Sequence, residues 1–221
     1  MVLLIHHSIS PQSRKVRIMM AEKKVLFVLK EEKPWQLSDE IRKINPAGDL
    51  PIFIFDGHVV AGNYAVSEYL EEAYPEIKLI HGNPMQKAET RRLTDWFDHK
   101  FHDEVYKYII GEKILKRFKT GMAPDSKALK AGINNLKYHM EYIDWLTERN
   151  NYLSGDEFSL ADVTASAHLS ILDYLGEIDW ETYKNAKLWY SKIKSRPSFK
   201  EILKDTIRGI PPSENYQNLD F

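Results

Sequence analysis

The chain predicts an α+β unit followed by an all-helical unit, and three observations carry that prediction. Up to about residue 74, short apolar runs alternate with helix-period segments. Tyr74-Pro75 then stops the pattern, because a residue preceding proline avoids helical backbone. Beyond residue 84 the apolar positions recur at the 3.6-residue period of amphipathic helices. A length of 221 residues is enough for two small domains with a substantial core, and 43% hydrophobic residues mark a globular chain.

Val2 to His6 reads as a short buried strand. Ser10-Pro11 opens a helix, with Ser10 as N-cap and Pro11 at the first helical position, where its missing N–H costs nothing. Val16, Ile18, Met19 and Met20 give that helix an apolar side. Val25 to Leu29 reads as a second strand, and Lys33-Pro34-Trp35 as a loop before a short polar helix near Ser38 to Ile44. Ile52 to Phe55 and His58 to Ala61 form a hairpin across Asp56-Gly57. Asn63 caps a helix reaching Ala73, whose apolar face holds Ala65, Val66, Tyr69, Leu70 and Ala73.

Glu76 to Pro84 reads as a linker. Met85 to Phe118 is one long amphipathic stretch, with a loop at Thr120 to Pro124 and a second long helix from about Asp125 to Arg149. Ser159 to Leu175, Trp180 to Lys194 and Ser198 to Lys204 supply three more helices. Ser159 and Asp162 have capping-box spacing, in which each side chain bonds the other's backbone N–H. Phe158 before that cap is placed to staple onto Val163.

Composition excludes several functions. Net charge is −1, with both halves nearly balanced, so the chain has no basic footprint for nucleic acid or anionic lipid. No apolar run approaches the ~20 residues of a membrane helix. Met1 to His7 is too short for a signal peptide and lacks its basic flank. The absence of cysteine rules out disulfides, thiolate nucleophiles and cysteine-ligated zinc. The cytoplasm is the expected compartment.

Asn45-Pro46-Ala47-Gly48-Asp49-Leu50-Pro51 is the most informative stretch. Pro51 stands at the mouth of a strand, where it donates no ladder hydrogen bond. A cis bond there bends the chain and leaves the N–H and C=O of Leu50 free to meet an extended peptide as an added strand. The stretch resembles the segment of cytosolic glutathione transferases that grips the cysteinyl part of glutathione. The order strand, helix, strand, helix, strand, strand, helix resembles the thioredoxin-like domain of that superfamily. Gly155-Asp156-Glu157-Phe158-Ser159-Leu160-Ala161-Asp162 looks like the buried N-cap of its helical domain, and Arg196-Pro197-Ser198-Phe199 like the opening of its last helix. The resemblance covers roughly the first 205 residues. It implies a thioredoxin-like domain over 1–76, a linker over 77–84, an all-helical domain over 85–205 and a tail over 206–221.

The resemblance also implies site residues. The position of Ser10 holds a serine, tyrosine or cysteine beside the glutathione sulfur, and a hydroxyl pointed at sulfur favours thiolate over thiol. Ser10 as a plain helix cap is the alternative, and Ser13, one turn later, is the second candidate. Leu50 and Pro51 match the cysteinyl clamp. Gly62 and Asn63 stand where the family usually places Glu-Ser to bind the γ-glutamyl end. Gly62 removes the acid, and losing one charge-assisted contact costs about 1.5–3 kcal/mol. Glutathione, the only ligand implied, is therefore expected to bind weakly, and no resident cofactor is expected.

His99 and His102, with Asp95, Asp98 and Asp103, suggest a metal site or a polar stripe facing a cleft; no second cluster completes a ligand set, so no metal is assigned. His6 and His7 fall on opposite faces of a strand. Trp35, in a polar loop, reads as a contact surface or as the closure of a domain edge. In the tail, Pro211-Pro212 favours extended backbone, yet Ile210, Tyr216, Leu219 and Phe221 are apolar. Tyr216, Leu219 and Phe221 either pack back on the helices or serve, with Trp35, as anchors for a partner. The tail, the His6 to Pro11 segment, Lys33-Pro34-Trp35 and the weakened glutamyl site look like a bacterial branch of the superfamily that binds FtsZ. That resemblance implies a non-catalytic homodimer acting on FtsZ polymer in cell division. A glutathione transferase using Ser10, and a subunit binding some other protein, are the competing readings.

Overall fold

The computed structural model describes residues 1–219. Strands β1 (Val2–His6) and β2 (Phe27–Glu31) run parallel, and helix α1 (Pro11–Glu22) supplies the crossover that a parallel pair requires. β1 pairs antiparallel with β3 (Ile52–Phe55), and β3 with β4 (His58–Ala61), giving the order β2-β1-β3-β4. Asp56 and Gly57 have φ of +50° and +77°, the left-handed pair that a tight two-residue hairpin needs. Alternation along the strands divides the sheet's two faces. Val2, Leu4 and Phe53 join the main core, while Ile5 and Ile52 pack with Ile41 of α2 (Asp39–Ile44) and with Leu50. This is the thioredoxin-like unit expected from the sequence.

Two expected details of that unit are corrected. β2 begins two residues later than its apolar run: Leu26 is 84% exposed, and only its carbonyl reaches β1, accepting from Val2 N–H. The cap of α3 (Asn63–Ala73) is Gly62, not Asn63. Gly62 sits at φ +86°, a left-handed backbone that suits glycine, and Asn63 becomes the first helical residue with its side chain turned towards α1.

Residues 74–83 are held rather than loose. The Glu71 carboxylate accepts the N–H groups of Leu79 and Ile80. Lys23 Nζ donates to the carbonyls of Tyr74 and Ile77 and pairs with Glu71. Asn83 caps α4 (Pro84–Asp95) through a capping box with Gln86. The rod continues to residue 120 through a π-helical stretch, Trp96–Tyr106, then α5 (Lys107–Ile110), a π-helical turn at Gly111–Leu115 and α6 (Lys116–Thr120). Asp125 caps α7 (Ser126–Arg149).

Helix α8 (Leu160–Tyr174) is buried along its whole length and packs against α1. Its start is built on Asp162. One carboxylate oxygen accepts Ser159 N–H at 2.9 Å and Ser159 Oγ–H at 2.8 Å; the other accepts Leu153 N–H at 2.9 Å and Trp189 Nε1–H at 2.8 Å. The expected cap is therefore also a tie between three segments. α9 (Lys184–Lys194) starts four residues after Trp180, which lies in the preceding turn and donates its Nε1–H to Asp173. A 3-10 turn, Pro197–Phe199, leads into α10 (Lys200–Leu203). No helix among the described residues is long and apolar enough to cross a membrane.

Candidate functional site

The first turn of α1 places Ser10, Gln12 and Ser13 beside the sheet. The Ser10 hydroxyl accepts Ser13 N–H at 3.1 Å and donates to Gln12 Oε1 at 3.3 Å. Its donor proton is thus engaged inside the chain, and capping is the role its contacts show. Ser13 is fully buried, and its oxygen accepts the N–H of His7 at 3.3 Å, so it points back into the β1–α1 turn. Gln12 Nε2 lies 3.1 Å from His102 Nδ1, which links this turn to the long rod.

Leu50–Pro51 is a cis peptide, and Leu50 is buried ahead of the ladder. Pro51 carbonyl accepts the N–H of Gly62 at 3.3 Å, which ties the two halves of the expected cleft together. Gly62 brings no carboxylate. Asn63 Oδ1 accepts from Lys15 Nζ at 2.9 Å, and the same ammonium reaches Asp98 Oδ2 at 2.6 Å. Lys15 of α1 thus ties Asn63 to Asp98 of the long rod.

Burial by itself would raise the Asp98 carboxyl; the Lys15 ammonium and His168 outweigh it and hold its pKa at about 2. His168 is fully buried, its Nε2 stands 3.6 Å from Asp98 Oδ1, and neither ring nitrogen makes a hydrogen bond among the described residues. Burial keeps this imidazole's pKa low against the pull of Asp98. His102 stacks on Tyr106 at 4.6 Å and meets His168 edge-on at 5.8 Å; burial, then the charge of His168, lowers its pKa to about 4. Asp95, His99 and His102 are not gathered into a metal-ligating cluster among the described residues. His99 pairs with Asp95 in solvent at 2.7 Å, whereas the π-helical stretch carries His102 inward.

Trp35 is half-buried. It stacks on Phe118 of the rod at 5.2 Å and meets His7 edge-on at 5.0 Å, so it closes the edge between the two units. The tail packs back. Tyr216 is fully buried, donates its hydroxyl to Ile202 carbonyl at 2.9 Å and accepts from Arg14 Nη1 at 3.1 Å. Of the two expectations for Tyr216, packing back is the one its contacts show, since none of its surface is open. Leu219 is partly buried against the same core, and Phe221 lies outside the described residues.

Sequence reasoning missed Arg14 and Lys15 altogether. Arg14 donates to Ser8 carbonyl at 2.7 Å and Ser170 Oγ at 2.8 Å, and pairs with Asp205 at 3.5 Å. The signal was present: Arg14 and Lys15 fall three or four residues from Ile18 and Met19, on the apolar side of α1.

Comparison with known proteins agrees with this architecture. Residues 4–78 match the family model "Glutathione S-transferase, N-terminal domain", and 118–197 match "Glutathione S-transferase, C-terminal domain". The chain is 39% identical over 222 residues to FtsZ-localized protein A of Caulobacter vibrioides, covering 99% of this chain and 97% of the other. Among solved structures it is similar to a glutathione S-transferase from Rhodospirillum rubrum F11, with TM-score 0.97, 44% identity and both chains fully covered. It is likewise similar to FzlA from C. crescentus, with TM-score 0.96, 38% identity and 100% and 99% of the two chains covered.

Proposed function

The chain belongs to the glutathione S-transferase superfamily, and on that premise we propose that it is a non-catalytic regulator of cell division that binds FtsZ polymer. The observation that carries the reading is the end-to-end similarity to FtsZ-localized protein A. The site supports its non-catalytic half. Ser10 is engaged with Gln12 and Ser13, Gly62 offers no acid, and Lys15 takes up the oxygen of Asn63. In this reading the thioredoxin-like domain spans 1–76, residues 77–84 link it to the helical domain over 85–205, and 206–221 are a tail whose Tyr216 and Leu219 pack on the core. The protein works in the cytoplasm as a homodimer. Trp35 and the outer part of the tail at Leu219 contribute to the partner surface.

A second reading, conjugation of glutathione to small electrophiles, has one observation in its favour. The N-terminal N–H groups of α3 and the amide of Asn63 still offer donors to a carboxylate beside Leu50 and Pro51. Calorimetric titration with millimolar glutathione, beside a conjugation assay, separates the two. Weak or undetectable heat with no turnover is expected. Micromolar affinity with turnover lost in Ser10→Ala makes the protein an enzyme.

A further inference from the structure

Strand β2 is one edge of the sheet, and its outer side is bare. Val2 stands against Phe27 and His6 against Glu31; Val2 N–H donates to Leu26 carbonyl and Glu32 N–H to His6 carbonyl. In a parallel pair this turns the main-chain groups of the even residues, Leu26 to Glu32, inward. The N–H and C=O of Phe27, Leu29 and Glu31 therefore point outward, and none of them makes a hydrogen bond among the described residues. Sheet edges are normally blunted by proline, a bulge or a charged lysine. β2 has no proline and leaves Leu26, Val28 and Leu29 at 84%, 41% and 43% exposure, while Lys30 is already paired with Glu32 at 3.3 Å. A hollow of about 430 Å³, walled by Ala21 of α1 and Ile202 of α10, lies along Phe27, Val28 and Leu29.

The order of charged and apolar residues along this edge matches a second copy of itself. An antiparallel strand sets outward residues against outward residues, so a second β2 has few registers. Centred on Phe27, Lys30 meets Lys24 of the second copy; centred on Lys30, it meets itself; centred on Leu29, Phe27 and Leu26 meet Glu31 and Glu32. Centred on Val28, like meets like in the middle: Phe27 faces Leu29 on both sides of the axis, and Val28 faces Val28. Leu26 then lies along the aliphatic stem of Lys30. At each end Lys24, exposed and without an ion pair among the described residues, falls opposite Glu32. Glu31 falls opposite Val25, whose side chain is buried, and keeps its bond from the Ser8 hydroxyl at 3.1 Å.

We infer that β2 is an interface between two copies of this chain, paired antiparallel about a twofold axis at Val28. The inference rests on the homodimer reading above and supplies a face for it. Phe27 and Leu29 exchange main-chain hydrogen bonds with Leu29 and Phe27 of the second copy. Their side chains stand on the side where Phe27 packs against the main core, over the hollow beside Ile202. The contact is isologous, so one pairing uses up the edge.

The test exploits the absence of cysteine from the chain. Val28 stands opposite its own copy in a non-hydrogen-bonded pair, with Cα atoms about 4.5 Å apart, within the span of a disulfide. Leu26 lies two residues from the axis, so its two copies are about 13 Å apart, beyond that span. Val28→Cys in the full chain is expected to form a covalent dimer when oxidised with diamide, and Leu26→Cys, at the more exposed position, to do so about tenfold more slowly or not at all. Sedimentation equilibrium is the second readout. Val28→Lys sets two ammonium groups across the axis and is expected to halve the associated mass, whereas Val28→Thr keeps the parent's. Melting curves that match the parent's show that the variants fold. Equal crosslinking at positions 26 and 28, or a folded Val28→Lys as heavy as an associated parent, overturns the inference and leaves the homodimer to another face. A parent that sediments as a monomer at every concentration overturns both.

Discussion

Tyr216 is 202 residues from Arg14 in sequence and bonded to it in the fold, so the tail is open to a direct test. Consider first Tyr216→Phe. The ring stays against Tyr174, 4.9 Å away and edge-on, and only the hydroxyl is lost. Ile202 carbonyl then loses one of its donors, keeping Asp205 N–H at 3.1 Å, and the buried Arg14 loses one of its acceptors. Losing these two bonds together costs about 1–3 kcal/mol. Tyr216→Ala also empties an aromatic site, for a total of about 3–5 kcal/mol. In a chain of this length that lowers the melting temperature by about 10 °C. Removing residues 213–221 takes away more. Ser213 N–H bonds Tyr174 carbonyl at 2.8 Å, Ser213 Oγ bonds Asp173 carbonyl at 2.7 Å, and Lys194 Nζ donates to Asn215 carbonyl at 3.0 Å. Against a total stability of about 5–15 kcal/mol, the truncated protein is expected to be largely unfolded or close to it. This reverses what a segment after Pro211-Pro212 suggests, namely that deletion spares the fold. Urea midpoints and thermal melts of the three variants decide. A truncated protein that melts with the parent would show that the tail adds little to the core.

Three further outcomes are expected. Asp162→Ala breaks four hydrogen bonds at one buried carboxylate and lowers stability by about 3 kcal/mol or more, while Ser159→Ala costs about 1 kcal/mol; equal urea midpoints for parent and both variants count against the tie. Lys15→Met leaves Asp98 buried without its cation, at a cost of about 3–5 kcal/mol, and the double variant Lys15→Met, Asp98→Leu recovers most of it; a double as unstable as the summed singles denies the coupling. His102, whose folded pKa of about 4 lies below the unfolded 6.5, binds its proton more readily when unfolded, so its contribution is whole above pH 6.5 and lost as pH falls towards 4. Parent stability should therefore drop between pH 7.5 and 4.5 by about 2 kcal/mol more than that of His102→Gln, and parallel pH profiles speak against it.

Local signals carried most of the fold. The hairpin at Asp56-Gly57, the caps at Ser10 and Ser159 and the periods of α1, α3 and α7 all depend on neighbours within a few residues, and each appears where its chemistry places it. Errors came where a tertiary partner outweighs local preference. Leu26 is apolar but lies ahead of the β1 pairing, and Trp180 is drawn out of helix to reach Asp173. In the candidate site, the cis bond before Pro51 was legible. The site was not legible in its charges, because Lys15 meets Asp98 across 83 residues and no local pattern records that pairing. Asn63 read as a cap for the same reason: its true partner, Lys15, lies 48 residues away.

The central claim is that this fold serves a filament rather than a thiol, and co-sedimentation tests it most directly. The full chain is spun with FtsZ polymerised by GTP, with unpolymerised FtsZ and a Trp35→Ala variant alongside. The protein is expected to enter the pellet saturably with polymer and not without it, and Trp35→Ala to do so less. A protein that stays in the supernatant at every polymer concentration, while its melting curve shows it folded, is no FtsZ-polymer binder.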